Sequence, residues 1–284
     1  MSVSLLSYGK PSVSGYDSVV RNRVLSGMIE ECRAHDLTLS LDYIDEDDAG
    51  RLASWEALPA AIRSGQSQGV LISGHFPGDA VAQLCAHLPC VQVADYSPAL
   101  SVDCIDHDDM RSVELLVDHL WSLGHRHIGF IGGAGLTVDL IRCNAFCLAM
   151  LRRGKKRNEL SERCRDVTGP YDKPEAAFGW VREAIQRGVT GWVATNDAIG
   201  YRVLRYLEER GIQCPHDLSL CGFDHFDPPT DLPKLTSIDA PFEDMGRLAV
   251  VRLHQRIKQT VSSTHHTMIE CRIVPGTSTA PVPA

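Results

Sequence analysis

Hydrophobic positions along the chain follow two different periods. Short runs of β-branched and large apolar residues, such as VSLLSY (3–8), GVLISG (69–74) and HIGFIGG (127–133), predict buried strands. Between these runs, apolar residues recur at the spacing of one helix face, as in VELLVDHLWSLG (113–124). Strands that alternate with helices in this way indicate parallel sheets covered by helices on both faces.

The alternation continues along the rest of the chain. Further strands are predicted at 37–44, 90–95, 164–169, 190–195, 216–224, 235–240 and 268–276. Further helices are predicted at 19–33, 53–65, 78–88, 138–154, 174–188, 198–211 and 241–259. This number of strands favours an α/β fold of two doubly wound parallel-sheet lobes over a single sheet.

Composition indicates a globular protein of a reducing compartment. The 284 residues are 44% hydrophobic, and no apolar run approaches the roughly 20 residues of a membrane span. The N-terminal segment MSVSLLSYGKPSVSGYDS lacks the basic and then apolar pattern of a secretory signal. The ten cysteines are scattered, and some lie in apolar runs such as SLCGF. We therefore expect a cytoplasmic protein with buried thiols and no membrane association.

The charge balance argues against a broad nucleic-acid surface. The chain carries 28 Lys and Arg against 36 Asp and Glu, a net charge of −8. Duplex binding needs clustered cations that displace counterions from phosphates. The densest basic run, RRGKKR (152–157), follows a predicted helix and is typical of a solvated helix end.

Candidate chemistry lies where the predicted strands end, because ligands of open parallel sheets bind beyond the carboxyl ends of strands. Gly and polar or aromatic residues follow strand after strand, at 8–9, 73–76, 95–96, 132–133, 195–197 and 222–224. In the last two groups, Asn196 and Asp224 either cap and turn the chain or face a ligand. Arg142 interrupts the apolar run VDLIRCNAF. It is either a surface arginine or a planar donor fork that binds hydroxyls or a carboxylate.

Motifs of catalysis and metal binding are missing from the sequence. There is no G-x-S-x-G elbow and no G-x-x-x-x-G-K-[ST] phosphate loop. His125 and His127 have no further ligand at metal-binding spacing, and Cys143 and Cys147 lie among apolar residues. We predict no catalytic residue, no cofactor and no metal site, and hence a binding protein and not an enzyme.

Four segments together resemble the lactose-repressor (LacI) family of transcription regulators. They are VELLVDHLWSLGHRHIGFIGG (113–133), ATNDAIGYRVLRYLEERGIQCPHDLSLCGFDHFD (194–227), KLTSIDAPFEDMGRLAVVRL (234–253) and VPGTSTAP (274–281). The resemblance implies a periplasmic-binding-protein-like fold of type I, with crossover segments between the lobes. It places the N-terminal lobe at 1–123 and 242–267, the C-terminal lobe at 124–241 and 268–278, and a tail at 279–284.

The resemblance also implies a ligand site. Asn196, Asp224 and Arg142 correspond to effector-binding positions of the family, which favours the ligand role for all three. Tyr171 in GPYD and Phe242 are further candidates. Two more candidates complete the set, Tyr16 and His75. The segment 14–17 departs from the family pattern, and the register of 103–109 is not fixed by the resemblance.

The function that this resemblance implies is regulation by a small molecule. A sugar or polyol effector would bridge the two lobes of each chain and shift their arrangement, and the chains would form a homodimer. Operator DNA would be bound only by the helix-turn-helix headpiece with which the family begins, and the given sequence starts at the first strand of the core. The alternative is a periplasmic sugar-binding protein of a transporter, which shares the two-lobe plan.

Overall fold

The predicted strands and helices form two units, each built on one six-stranded sheet. The computed structural model describes residues 1–9, 16–94, 101–132, 137–160, 164–166 and 174–282. One unit comprises Met1–His107 and Pro241–Ile269, and the other comprises Asp108–Ala240 and Glu270–Ala284. The chain therefore passes from one unit to the other three times.

The described secondary structure alternates as the hydrophobic pattern predicts. The strands are β1 (Ser2–Tyr8), β2 (Thr38–Ile44), β3 (Val70–Ser73), β4 (Cys90–Val93), β5 (Asp103–His107), β6 (Ile128–Gly132), β7 (Cys164–Asp166), β8 (Gly191–Ala194), β9 (Ser219–Phe223), β10 (Thr236–Asp239), β11 (His266–Ile269) and β12 (Arg272–Val274). The helices are α1 (Tyr16–Ala34), α2 (Glu46–Ala49), α3 (Ala60–Arg63), α4 (Gly78–His87), α5 (Asp109–Ser122), α6 (Thr137–Arg152), α7 (Arg157–Leu160), α8 (Pro174–Gln186), α9 (Asp197–Glu208) and α10 (Phe242–Ile257).

The first unit contains a fully parallel sheet in the order β11-β5-β4-β3-β1-β2. Buried aliphatic side chains of its strands, among them Leu6, Val70 and Ile72, contribute to the core of this unit. Helices α1 and α10 pack closely on each other. A Cβ atom at Gly246 would therefore lie only 2.1 Å from the carbonyl oxygen of Val24.

The second unit contains a sheet in the order β12-β10-β9-β8-β6-β7. Its strands are parallel except β12, which runs antiparallel to β10. Aromatic side chains fill its core, where Trp192 and Tyr206 are fully buried and Phe178 packs 5.8 Å from the ring of Tyr206. The two parallel sheets confirm the predicted α/β class.

Several elements of the structure differ from the predicted ones. Residues 53–65 do not form one helix. A 3-10 turn at Gly50–Ala53 is followed by a second at Trp55–Ala57 and then by the short helix α3. Strand β5 was not predicted. The predicted last strand, 268–276, is two strands, because β11 pairs with β5 in the first unit and β12 pairs with β10 in the second.

The boundary between the units also differs from the predicted one. The prediction placed residues up to 123 in the first lobe, whereas the second unit begins at Asp108 and includes α5. The reason is packing, since α5 lies against α6, β8 and β12 of the second unit. None of the helices within the described ranges combines the length and the apolar character that crossing a bilayer requires.

Candidate functional site

A buried arginine organises the strand ends of the second unit. Arg142 on α6 is only 4% exposed, and its Nε donates to Asp109 Oδ1 at 2.6 Å. Its Nη1 donates to the carbonyl oxygen of Thr195 at 2.6 Å, and its Cζ lies 3.5 Å from the ring centroid of Phe223. The guanidinium therefore joins α5, the end of β8 and the end of β9, and its charge is balanced by Asp109.

Asn196 caps the helix that follows β8. Its side-chain Oδ1 accepts a hydrogen bond from the backbone N–H of Ile199 at 2.9 Å, which satisfies one donor at the start of α9. The residue is partly exposed, and the cap uses only the oxygen of the amide. Its NH₂ group can still donate two hydrogen bonds to a ligand. Capping and ligand binding are thus compatible at this residue.

Asp224 is a buried carboxyl group at the end of β9. It is 2% exposed and has a backbone φ of 91°, which is unusual for a residue with a side chain. Its backbone N–H donates to Ile238 O at 2.7 Å, but its side-chain Oδ2 has no hydrogen-bond partner. Burial raises the pKa of Asp224 well above its usual value. A buried polar atom without a partner is costly and therefore requires a functional or structural reason.

Sequence reasoning missed the carboxyl groups that surround these residues. Asp139 Oδ1 accepts from the Thr195 hydroxyl at 2.7 Å. Asp197 Oδ2 accepts from the backbone N–H of Phe226 at 2.7 Å and its Oδ1 accepts from the Ser237 hydroxyl at 2.8 Å. The polar triplet 195–197 is the sequence signal for Asp197, because it places three polar side chains at the end of a predicted strand.

Asp197 holds the loop after β9 in place. A Cβ atom at Gly222 would lie 1.9 Å from its Oδ1, so the carboxyl group packs directly on the β9 backbone. Burial raises the pKa of Asp197 to about 7, against the opposing effect of its hydrogen bonds. Buried Cys271 interacts electrostatically with Asp109, Arg142 and Asp224, and burial raises its pKa to about 11. The cluster around Arg142 therefore contains more carboxyl groups than cations among the described residues.

The other predicted site residues lie elsewhere or outside the described residues. Phe242 is buried at the start of α10 in the first unit, where its ring meets His107 edge-on at 6.0 Å. His75 is exposed after β3 in the same unit. The side chain of Tyr16 and the whole of Tyr171 lie outside the described residues. Of the predicted residues, Asn196 and Asp224 follow the ends of the paired strands β8 and β9, and Arg142 contacts their neighbours Thr195 and Phe223.

The fold of this chain is similar to that of known ligand-binding proteins. A family model described as a periplasmic binding protein-like domain matches residues 117–279. The chain belongs to this family of ligand-binding domains. Within it, the chain is related to transcriptional regulators of the LacI type, as the sequence resemblance predicted.

Two curated relatives show this relationship by their sequence identity. An uncharacterized HTH-type transcriptional regulator from Streptomyces limosus is 30% identical over 205 residues, 69% of this chain and 56% of the relative. The arabinose metabolism transcriptional repressor of Geobacillus stearothermophilus is 31% identical over 182 residues, 61% of this chain and 48% of the relative. The chain spans about half the length of these relatives.

A solved structure shows the same fold. A LacI family transcriptional regulator from Weissella paramesenteroides, with bound sucrose, superposes with a TM-score of 0.79 at 17% sequence identity. The match covers 100% of both chains. These relatives and this neighbour are described as transcriptional regulators.

Proposed function

We propose that this chain is the effector-binding core of a LacI-type transcriptional regulator and that its effector is a neutral sugar or related polyol. The observation that carries the proposal is the buried Oδ2 of Asp224, which has no hydrogen-bond partner. Asp224 follows β9, which pairs with β8, and Asn196 follows β8 with two amide donors that its cap does not use. A sugar hydroxyl both donates and accepts, so it can satisfy both groups.

The charges around the site favour a neutral ligand over an anion. Arg142 already pairs with Asp109 at 2.6 Å, and further buried carboxyl groups at positions 139 and 197 lie around it. An anionic ligand would have to compete with Asp109 for the guanidinium. The sucrose bound to the structural neighbour and the arabinose-related role of one relative support a sugar as the ligand class.

The proposed action of the effector is a population shift. A ligand changes the protein's conformation only to the extent that it binds one state more tightly than another. In this proposal, the favoured state alters operator binding by a helix-turn-helix headpiece, which the family carries before the core. Inducer and corepressor action both fit this scheme.

Two further parts of the proposal are the compartment and the assembly. Unpaired thiols at Cys32, Cys85, Cys90, Cys214 and Cys221 fit a reducing cytoplasm. A homodimer follows from the family resemblance. A solute-binding protein of a transporter is not favoured, because the relatives are transcriptional regulators.

The test is a thermal-shift screen of neutral sugars beside sugar acids and nucleosides. A ligand present at 100 times its Kd should stabilise the chain by about 2.7 kcal/mol. We expect neutral sugars to give the shifts. Stabilisation by acids or nucleosides alone would contradict the proposed ligand class.

Asn196→Asp then separates capping from ligand binding. Aspartate caps helices as well as asparagine does, so the free energy of unfolding should stay within about 0.5 kcal/mol. The variant loses the NH₂ donors, so calorimetric titration should show sugar binding weakened by about 1 kcal/mol or more. Asp45→Asn, the reverse exchange at the cap of α2, is the matched control. Unchanged affinity in Asn196→Asp would show that Asn196 acts only as a cap.

A further inference from the structure

A second group of polar side chains crosses the sheet of the first unit. Gln92 on β4 and His266 on β11 are both register partners of Cys104 on β5, one on each side. Asp106 lies two residues after Cys104 and therefore points to the same face of the sheet. The proposed effector site in the second unit uses none of these four residues.

Three of these side chains offer metal ligands at close range. The ligand atoms of Cys104, Asp106 and His266 all lie within 4.8 Å of one another. Asp106 Oδ2 and His266 Nε2 are 3.8 Å apart. Two ligands of a tetrahedral zinc ion, each about 2.1 Å from the metal, are about 3.4 Å apart. Small side-chain movements would therefore bring the three atoms to binding distance.

Gln92 provides an independent sign of a missing partner. The residue is 1% exposed, and its side-chain Oε1 has no hydrogen-bond partner. A buried amide oxygen in this state costs free energy that a metal ion or its bound water would recover. The register places this oxygen-bearing side chain next to Cys104.

We propose that Cys104, Asp106 and His266 bind a zinc ion, with Gln92 or a water molecule as the fourth ligand. Thiolate, imidazole and carboxylate are the ligands that zinc takes in proteins. The thiolate and the carboxylate together balance the two charges of the ion. The His266 side chain is 24% exposed, which gives the ion a route from solvent.

The surrounding charges permit a cation at this place. The nearby arginines lie on the opposite face of β5, where Asp103 accepts from Arg252 Nε at 2.8 Å and pairs with Arg256. Successive strand residues point to opposite faces, so Asp103 and its arginines are separated from Cys104 by the sheet. A bound ion would fasten the edge strand β11 to β5 through its side chains.

The experiment uses cobalt(II), added to the metal-free protein, as a spectroscopic substitute for zinc. Binding through Cys104 gives a thiolate-to-cobalt charge-transfer band, which one equivalent of zinc should abolish. Cys104→Ser should remove the band. His266→Ala should weaken metal binding by more than the roughly 10- to 100-fold that loss of an outer-shell partner costs.

Two matched variants serve as controls. His265→Ala removes the neighbouring histidine, which contacts Ser263 instead, and Cys32→Ser removes a buried thiol on α1. Both should keep the band and the affinity. Because His266 lies on an edge strand, its variant should keep the wild-type circular dichroism spectrum. Absence of a thiolate band in the wild type, or a band that survives in both Cys104→Ser and His266→Ala, would overturn the proposal.

Discussion

At the residue scale, Arg142 has a structural role, because it joins α5 to the ends of β8 and β9. The family resemblance favours a ligand role for its guanidinium. The observed ionic partner is Asp109, at 2.6 Å. Asp109 belongs to the stretch 103–109, whose register the sequence left open. There β5 ends at His107, Asp108 caps α5 and Asp109 begins it, so a shift of one residue changes which carboxyl group faces Arg142.

Replacing Arg142 should therefore destabilise the fold. Arg142→Ala removes the cation that pairs with the buried Asp109 carboxylate. Loss of one partner of a buried pair costs about 3–5 kcal/mol of unfolding free energy. Urea unfolding measures this cost. Arg152→Ala on the same helix is the control, because its pair with Glu114 is exposed and contributes at most about 1 kcal/mol. Equal, small losses in both variants would show that the Arg142–Asp109 pair does not stabilise the fold.

Asp224 should make stability depend on pH. Burial raises its folded pKa above the unfolded value, so the folded protein retains a proton that the unfolded chain has lost. This contribution to stability is present below about pH 4 and is lost as the pH rises through the folded pKa.

Asp224→Asn removes the charge and should become more stable than the wild type as the pH rises. The gain is about 1.4 kcal/mol for each unit by which burial raises the pKa. Urea unfolding between about pH 5 and pH 8 measures it. Asp227→Asn, at an exposed position three residues further on, should follow the wild type. A constant difference between Asp224→Asn and the wild type across this range would contradict a buried neutral carboxyl group.

At the scale of elements, the sequence predicted most helices and strands because their hydrophobic periods are strong. The prediction of strands failed where one apolar run contributes strands to two different sheets. Residues 268–276 read as one strand, yet the chain leaves the first unit after Ile269 and enters the second at Glu270. The prediction also missed β5. Without a strand at 103–107, the two-residue spacing of Cys104 and Asp106 did not indicate that their side chains share one face. We therefore predicted no metal site from the sequence, whereas the structure leads us to propose one.

The contact between α1 and α10 depends on glycine. A Cβ atom at Gly246 would lie 2.1 Å from Val24 O, so Gly246→Ala forces two helices apart. Overpacking of this kind costs about 1–3 kcal/mol. Thermal unfolding should show the loss.

Gly78→Ala is the matched control for this contact. Gly78 begins α4, and its added Cβ would meet nothing within 4 Å. A glycine replaced without strain gains about 0.4–1 kcal/mol. If Gly246→Ala were as stable as Gly78→Ala, the two helices would not be held at this distance by glycine.

At the scale of the whole molecule, the sequence predicted two lobes and the family, but not their boundary. Alternation alone cannot show to which sheet a helix belongs. Helix α5 follows the last central strand of the first unit along the chain, but its buried face packs on α6 and β12 of the second unit. Such contacts between distant segments are not visible in a local pattern.

Apolar side chains on the surface of both units bear on assembly, which is a property of the whole molecule. Each unit exposes large apolar side chains, including Val19 and Leu248 in the first and Leu140 and Leu148 in the second. Apolar exposure in both units is consistent with a partner that covers them, and stable interfaces bury about 1,600 Å² in total. Light scattering should therefore give twice the 31.2 kDa mass of one chain.

The double variant Leu140→Glu and Leu248→Glu tests whether both units contribute to the dimer. It places a charge on an exposed position of each unit, so it should shift the protein toward the monomer while circular dichroism stays unchanged. His216→Glu, at an exposed loop position, should remain dimeric. A wild-type monomer at concentrations of tens of micromolar would contradict the homodimer and favour the solute-binding alternative.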